Sequence, residues 1–255
     1  MNYNFPMKNK AHVLKSLPGV GIHSKIERVD WSNVAQKLNE KGFAVVSKFI
    51  SASDCKSLIR LYDQSELYRK TVIMERYRFG LGEYKYFDYP LPDSIQTLRE
   101  NIYSYLAPIA NSWMDLLQIE KKFPEKFSEL QKLCRENKQT KPTALILKYG
   151  VGGFNTLHQD LYGEVYFPIQ AAIFLNQPDQ DYEGGEFVMT QTVPRAQSKA
   201  IVLKPKQGDM IFFTTNFRPM LGSKGYYRVQ MKHGVSEIDS GERYTLGIIF
   251  HDATS

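Results

Sequence analysis

Cysteine is nearly absent from this chain, with Cys55 and Cys134 the two examples among 255 residues. They stand far apart within helix-like stretches, which excludes a disulfide framework or zinc–cysteine site and fits a reducing compartment. Long apolar runs are missing as well. The opening residues 1–10 carry no secretory-type apolar stretch, and no later segment is apolar for long enough to span a bilayer. A cytoplasmic protein with no membrane partner is therefore expected. No repeat, low-complexity tract or long Pro/Gly/Ser linker divides the chain. What is there is a hydrophobic content of 42% and an aromatic content of 13%, sufficient for one large cored domain. The formal charge of +6 favours a polyanionic partner such as nucleic acid, although the excess is spread along the chain.

The texture changes near residue 143. Before it the pattern is mainly helical. Asp30 caps a short helix whose Val34, Ala35 and Leu38 share a face, and Gly42 stands at its C-terminal stop, followed by a strand over 43–46. Ser51 or Ser53 starts a helix through Tyr62. Asp93 with Gln96 resembles a capping box ahead of an apolar-periodic run to Leu117, and a further helix is expected over 124–135. Beyond 143, short runs rich in Val, Ile, Phe and Tyr alternate with turn signals such as Gly184-Gly185 and Gly208-Asp209. Runs at 145–149, 155–158, 166–175, 186–190, 200–203, 210–214, 227–235 and 244–250 give eight candidate strands, the number a jelly-roll or cupin-like barrel requires. The expected class is α+β dominated by β: residues 1–142 form a mainly helical extension packed on one sheet of a barrel built from 143–255, in one compact unit.

The chemistry-bearing residues lie in the β region. In His158-Gln159-Asp160 the imidazole and carboxylate are two residues apart, and on an extended chain positions i and i+2 point the same way. In 228–235 the alternation sets Val229, Met231, His233 and Val235 on one face, so His233 points inward among apolar neighbours. Two histidines and one carboxylate leave coordination positions open, the arrangement associated with non-haem Fe(II) oxygenases. Each piece also has a plain structural reading: a loop pair or N-cap for His158 and Asp160, a core histidine for His233. Ten residues after His233, Arg243 opens a strand with Arg243, Thr245 and Gly247 on one face and Tyr244, Leu246, Ile248 and Phe250 on the other. An inward arginine needs an anion, and a guanidinium matches a carboxylate through paired charge-assisted hydrogen bonds, with Thr245 adding another. The alternative is a surface arginine at a strand start.

This ordered set resembles the Fe(II)/2-oxoglutarate-dependent dioxygenases, whose His-x-Asp, distal His and following Arg-x-Ser/Thr occur in the same order; the likeness spans about 143–253. The stretch from Leu147 to Asp160 is most similar to AlkB-type nucleic-acid demethylases, and the resemblance implies that Tyr149 contacts the cosubstrate. Those demethylases carry a second arginine six residues after the first, where this chain has Ile249. The Gly184-Gly-Glu-Phe187 segment, the Gly208-Asp209 turn and the Arg-Tyr-Thr-Leu-Gly-Ile ending also resemble a bacterial oxygenase family labelled as acting on damaged DNA. The resemblance implies a double-stranded β-helix, Fe(II) held by His158, Asp160 and His233, 2-oxoglutarate as cosubstrate held by Arg243, Thr245 and Tyr149, and dioxygen as oxidant. Succinate and carbon dioxide would be released, with formaldehyde when an N-methyl group is attacked.

Substrate contacts are less constrained. Residues 76–90 interleave cations and rings, so Arg76, Arg78, Tyr84 and Tyr86 are candidates for stacking bases and holding phosphates; the same segment reads more readily as an amphipathic β-hairpin with a glycine-containing turn packed beside the barrel. Arg195, in a turn-rich segment, either reaches substrate or is solvated. Gly184-Gly185 reads as a tight turn into a strand. His251 shares the alternation of Arg243 and is either an outer neighbour of the site or a solvated strand-end histidine, while His12 and His23 have no metal-like neighbours. Besides oxidation of a modified nucleobase, the same site suits a hydroxylase of a protein side chain or small metabolite, and a barrel of this kind also serves as a noncatalytic metal or ligand sensor or a purely structural unit. Oligomeric state is open.

Overall fold

A strand buried on both faces reads as a near-continuous apolar run whose alternate residues meet different partners, and residues 169–174 illustrate the plan. In the computed structural model, which describes residues 21–161 and 163–255, Ile169, Ala171 and Ile173 pack with helices, whereas Ala172 and Phe174 face a second sheet. The helices are α1 (Ile22–Glu27), α2 (Trp31–Lys41), α3 (Ala52–Leu61), α4 (Asp93–Leu116) and α5 (Phe127–Glu136). The N-terminal part also supplies strands β1 (Phe43–Val46), β2 (Tyr68–Ile73), β3 (Gly80–Leu81) and β4 (Glu83–Phe87). Then follow β5 (Leu145–Tyr149), β6 (Phe154–His158), β7 (Ile169–Phe174), β8 (Tyr182–Gly184), β9 (Phe187–Thr192), β10 (Lys199–Leu203), β11 (Met210–Thr214), β12 (Phe217–Gly222), β13 (Gly225–Val235), β14 (Ile238–Gly241) and β15 (Arg243–Ile248).

One sheet has the order β1-β11-β7-β15-β5-β4-β2 and the other β10-β9-β13-β6-β3, with β12 also on β13 and β14 paired with β8 as a separate ribbon. This is a double-stranded β-helix, extended at its edges by β1 to β4. The outer face of the first sheet buries Ile146, Ile173, Phe212, Leu246 and Ile248 against Leu98, Ile102, Leu106 and Trp113 of α4 and Leu38 of α2. Between the sheets, Phe174, Ile211 and Phe213 meet Phe187, Met189, Val229 and Met231.

Local signals set most boundaries. Asp30 accepts from Asn33 N at 3.0 Å to cap α2, and Gly42 ends that helix at φ 79°. Ser51 and Asp54 form a reciprocal capping box on α3. Three expectations need correction. Asp93 is the first residue of α4, not its cap: Pro92 holds the cap position, and the Gln96 amide turns forward to Glu100 at 2.6 Å instead of back to the helix start. Helix α5 begins at Phe127, not Pro124, because Asn111 bonds both Phe123 N and Phe123 O and the Tyr103 hydroxyl bonds Pro124 O, which holds that stretch off the helix. Among the described residues, eleven strands follow residue 143 where eight were expected. The additions β8, β12 and β14 are edge or ribbon strands; Pro219 interrupts the apolar pattern of β12, and an edge tolerates its missing N–H.

The end of β15 is tied to α4 by a buried polar cluster. Arg99, fully buried, donates to Ile249 O at 3.0 Å, Phe250 O at 2.9 Å, Tyr89 Oη at 3.0 Å and Asp252 Oδ1 at 2.7 Å. Asp252 also accepts from the Tyr89 hydroxyl at 2.9 Å, so the charge pair is paired on several sides. Breaking such a pair strands a buried charge. Arg99→Met is expected to lower unfolding free energy by about 3–5 kcal/mol, measured as a reduced urea midpoint, and Arg99→Met/Asp252→Leu to recover much of that loss because no charge remains.

Candidate active site

The pairing of β6 with β13 brings the predicted ligands together, since His233 lies directly opposite His158 in the antiparallel register. Asp160 follows two residues after His158 and reaches both rings: its Oδ1 is 3.4 Å from His158 Nε2 and its Oδ2 is 3.5 Å from His233 Nε2. The imidazole ring centres are 4.2 Å apart, and one ligand atom from each of the three residues falls within a 4.8 Å group. The intervening Gln159 points away and donates to Asn216 O at 3.0 Å and Met231 O at 2.9 Å, anchoring this corner to β13. His158 Nδ1–H donates to Thr156 O at 2.7 Å, which fixes the tautomer and leaves Nε2 free to bind a cation.

The electrostatics suit a cation. Burial alone would raise the Asp160 carboxyl, but the two imidazoles outweigh it and hold that group well below the usual carboxylate range. Burial pushes His158 down, and Asp160 more than reverses this. For His233 burial prevails, aided by repulsion from His158, so this ring is held neutral. Phe213 packs on the His233 ring at 4.8 Å and shields it.

A second convergence comes from β15 and β5, where Arg243 stands opposite Tyr149. The Arg243 guanidinium lies 5.1 Å from the Phe174 ring and 5.6 Å from the Tyr149 ring, and no carboxylate pairs with it among the described residues. Burial pushes the Tyr149 phenol up to about 12, while Arg243 and the neighbouring Asn155 pull it the other way without a well-formed bond to its hydroxyl. The Gly184–Gly185 turn closes against this end: at Gly185, with φ +61°, a Cβ would lie 2.2 Å from Ile238 Cδ1 and 3.1 Å from Arg243 Cδ.

Both groups open into one cavity of about 150 Å³. Five buried atoms without a hydrogen-bond partner among the described residues belong to its walls: Arg243 Nε, Thr245 Oγ1, Tyr149 Oη, His233 Nδ1 and Gln170 Nε2. Leaving buried polar groups unpaired is costly, and such clusters call for a ligand. Arg243, Thr245 and Tyr149 together offer the donors a carboxylate needs, and the His158, Asp160 and His233 donors fit a divalent iron.

Of the candidate substrate residues, Tyr84 and Tyr86 line the cavity, with the Arg69 guanidinium over the Tyr86 ring at 4.7 Å. Arg76, Arg78 and Arg195 are exposed and not part of its walls; Arg195 occupies a turn with φ 64°. His23 is exposed beside Asn101, and His12 lies outside the described residues. Asn155, Gln170 and Phe213 also line the cavity and were missed by the sequence reading. Gln170 carried a readable signal, a single amide inside the apolar run Ile169-Gln-Ala-Ala-Ile-Phe174.

His251 is neither solvated nor part of the cavity wall. It is buried, and its Nδ1 accepts from Phe167 N at 3.1 Å, because the chain turns back under α4 after β15 instead of ending in solvent. Burial lowers its pKa from 6.5 to about 4. Between those values the unfolded chain binds a proton that the folded chain does not, so this contribution is complete above pH 6.5 and is lost as pH falls towards 4. It amounts to about 3 kcal/mol. In urea titrations between pH 7 and 4, His251→Gln is expected to flatten the loss of stability by that order; parallel curves for both proteins would contradict the assignment.

Comparison with known proteins agrees with this geometry. The structure resembles a prolyl-4-hydroxylase from Pseudomonas putida (TM-score 0.53, 16% identity, 87% of this chain and 98% of that one). It also resembles a 2OG-Fe(II) oxygenase family oxidoreductase from Burkholderia pseudomallei (TM-score 0.52, 14% identity, 89% and 95%). Likeness at this identity establishes the fold. In sequence, the uncharacterized protein Rv2227 of Mycobacterium tuberculosis is 44% identical over 167 residues, 66% of this chain and 72% of that protein. Residues 82–253 match Oxygenase-NA, described as "oxygenase, catalysing oxidative methylation of damaged DNA", and the span contains both clusters of the cavity. The chain belongs to the Oxygenase-NA family of oxygenases.

Proposed function

We propose that this protein is an Fe(II)- and 2-oxoglutarate-dependent dioxygenase that oxidises N-methyl groups on nucleic-acid bases. The observation that carries the reading is the shared cavity, with His158, Asp160 and His233 on one wall and a buried, carboxylate-free Arg243 on another. Iron and the cosubstrate supply the oxidation, coupling decarboxylation of 2-oxoglutarate to succinate with hydroxylation of a substrate C–H bond by dioxygen. The chain's residues hold and orient. Asp160 provides the anionic ligand, and His158 and His233 provide neutral nitrogens, one of them aimed by the Thr156 carbonyl. Arg243, Thr245 and Tyr149 bind the distal carboxylate of the cosubstrate, and Phe187 and Phe213 keep water from the His233 side.

The nucleic-acid part draws support from the family description and from the cavity mouth. There Tyr77 and Phe79 stack at 5.5 Å with 17° between planes while remaining 53% and 39% exposed. Phe79 is itself a cavity residue, and the exposed Arg76 and Arg78 flank the pair. Exposed rings beside cations suit unstacked bases and their phosphates.

The test is succinate formation with Fe(II), 2-oxoglutarate and oxygen, with and without single-stranded oligonucleotides carrying N-methylated bases. Iron-dependent succinate is expected to vanish in His158→Ala and Asp160→Ala, together with iron-dependent thermal stabilisation. Oligonucleotide should stimulate turnover and release formaldehyde, with stimulation falling as salt rises. A salt-independent response to peptides instead would favour a protein hydroxylase. Arg243→Met is expected to raise the KM for 2-oxoglutarate by about 100-fold, as loss of two charge-assisted hydrogen bonds implies; an unchanged KM would remove Arg243 from the cosubstrate site.

A further inference from the structure

Gln170 is a cavity residue that the holding of iron and cosubstrate leaves unused. It is 4% exposed, it lines the cavity, and its amide nitrogen meets no acceptor among the described residues. Its position along the floor follows from the strand registers. Thr245 lies beside Phe174 and Gly247 beside Ala172 on β7, so Ile249 continues alongside Gln170; on the other side Gln170 is paired with Phe213 of β11. The floor thus runs from Arg243 through Thr245 and Gly247 to the Ile249–Gln170–Phe213 rung. Six residues of extended chain separate its two ends, about 20 Å along the strand. This rung is next to the metal cluster, because Phe213 is the ring that packs on His233 at 4.8 Å.

We infer that Gln170 is a specificity-determining residue that donates a hydrogen bond to an uncharged carbonyl oxygen of the substrate ring. The inference rests on the nucleobase reading and narrows it to bases bearing a ring carbonyl. A neutral amide at this end, where Arg243 provides the cation at the other, matches a neutral acceptor better than an anion. The neighbouring walls are flat: Phe213 shares the rung with Gln170, and Tyr86 stands on the next one, opposite Leu145 and in line with Gly247. Gly247 carries no side chain to block the floor between the two ends, where a Cβ would already press on Leu145 Cδ2 at 2.8 Å. An amide that satisfies itself on a ligand carries its cost in the free protein. Its replacement by an apolar side chain of similar shape therefore relieves that cost while impairing recognition.

Gln170→Met separates this role from a structural one. The probes are single-stranded oligonucleotides with one 3-methylcytosine, 3-methylthymine or 1-methyladenine; the first two carry a ring carbonyl and the third does not. The variant is expected to keep or raise the Tm of the free protein and to hold the KM for 2-oxoglutarate within about twofold. Its kcat/KM should fall at least about tenfold further on the two carbonyl-bearing bases than on 1-methyladenine, the cost of one lost hydrogen bond in a buried site. A lower Tm with equal losses on all three bases would make Gln170 a structural residue, and a raised KM for 2-oxoglutarate would assign it to the cosubstrate. If wild-type protein is stimulated by the oligonucleotides but the variant shows no selectivity, only the Gln170 assignment falls. If no oligonucleotide stimulates wild-type succinate formation, the nucleobase reading falls and takes the assignment with it.

Discussion

The register between β6 and β13 is the constraint on which the site depends. Opposition of His158 and His233 sets the distance between the rings, and the two-residue period sends Asp160 to the same side. A slip of one residue would turn His233 towards solvent and bring Lys232 inward. Several contacts resist that slip. Val229 and Met231 are buried between the sheets on the same face as His233, β9 pairs with β13 along its other edge from Gln230 to Val235, and Gln159 clamps the corner to Met231 O. The apolar side chains and the ligand thus share one choice of register, so the packing that stabilises the barrel also assembles the metal cluster.

The opposite wall is positioned from behind. Strand β15 presents Arg243, Thr245 and Gly247 to the cavity and Leu246 and Ile248 to the helices, and its end is fastened by Arg99 to Ile249 O and Phe250 O. Gln139 extends the fastening, linking Val165 O and Asp252 O and so tying the segment after Asp160 to the chain end after β15. A buried ion pair is weak as a source of stability. Here its geometric effect is specific: it sets the depth of the floor strand relative to the helices without using the side chains on the cavity face.

How much of this was legible in the sequence depended on the range of the determining interaction. Asp30, Gly42 and Ser51 act on their own helix ends, and the structure agrees with the sequence at each. The alternation around His233 and Arg243 was readable for the same reason, since each strand's two environments are recorded in its own residues. Asp93 misled because Pro92 and Gln96 were free to choose other partners, and His251 misled because its burial comes from Phe167, distant in sequence. Strands β3 and β4 escaped a clear assignment because they pair with β6 and β5, beyond two helices, and β2 followed because its partner is β4. The 76–90 segment does not close into a hairpin of its own: β3 pairs with β6, β4 pairs with β2, upstream of that segment, and with β5, and Tyr84 and Tyr86 thereby become cavity walls.

The cavity combines two kinds of polar group that a stable apolar core would exclude. Asp160 and His158 compensate each other's burial, so the metal-binding corner is electrostatically tolerable before any ion arrives. Arg243 Nε, Thr245 Oγ1, Tyr149 Oη and Gln170 Nε2 have no such internal partner among the described residues. Pairing them internally would be the simplest route to greater stability, since each unpaired buried donor costs roughly 1–3 kcal/mol. Such pairing would also oblige a ligand to displace the internal partner before binding. Donors kept unpaired and held by opposed strands on a rigid sheet leave the binding energy of the ligand available for orientation, which a reaction at a single C–H bond requires.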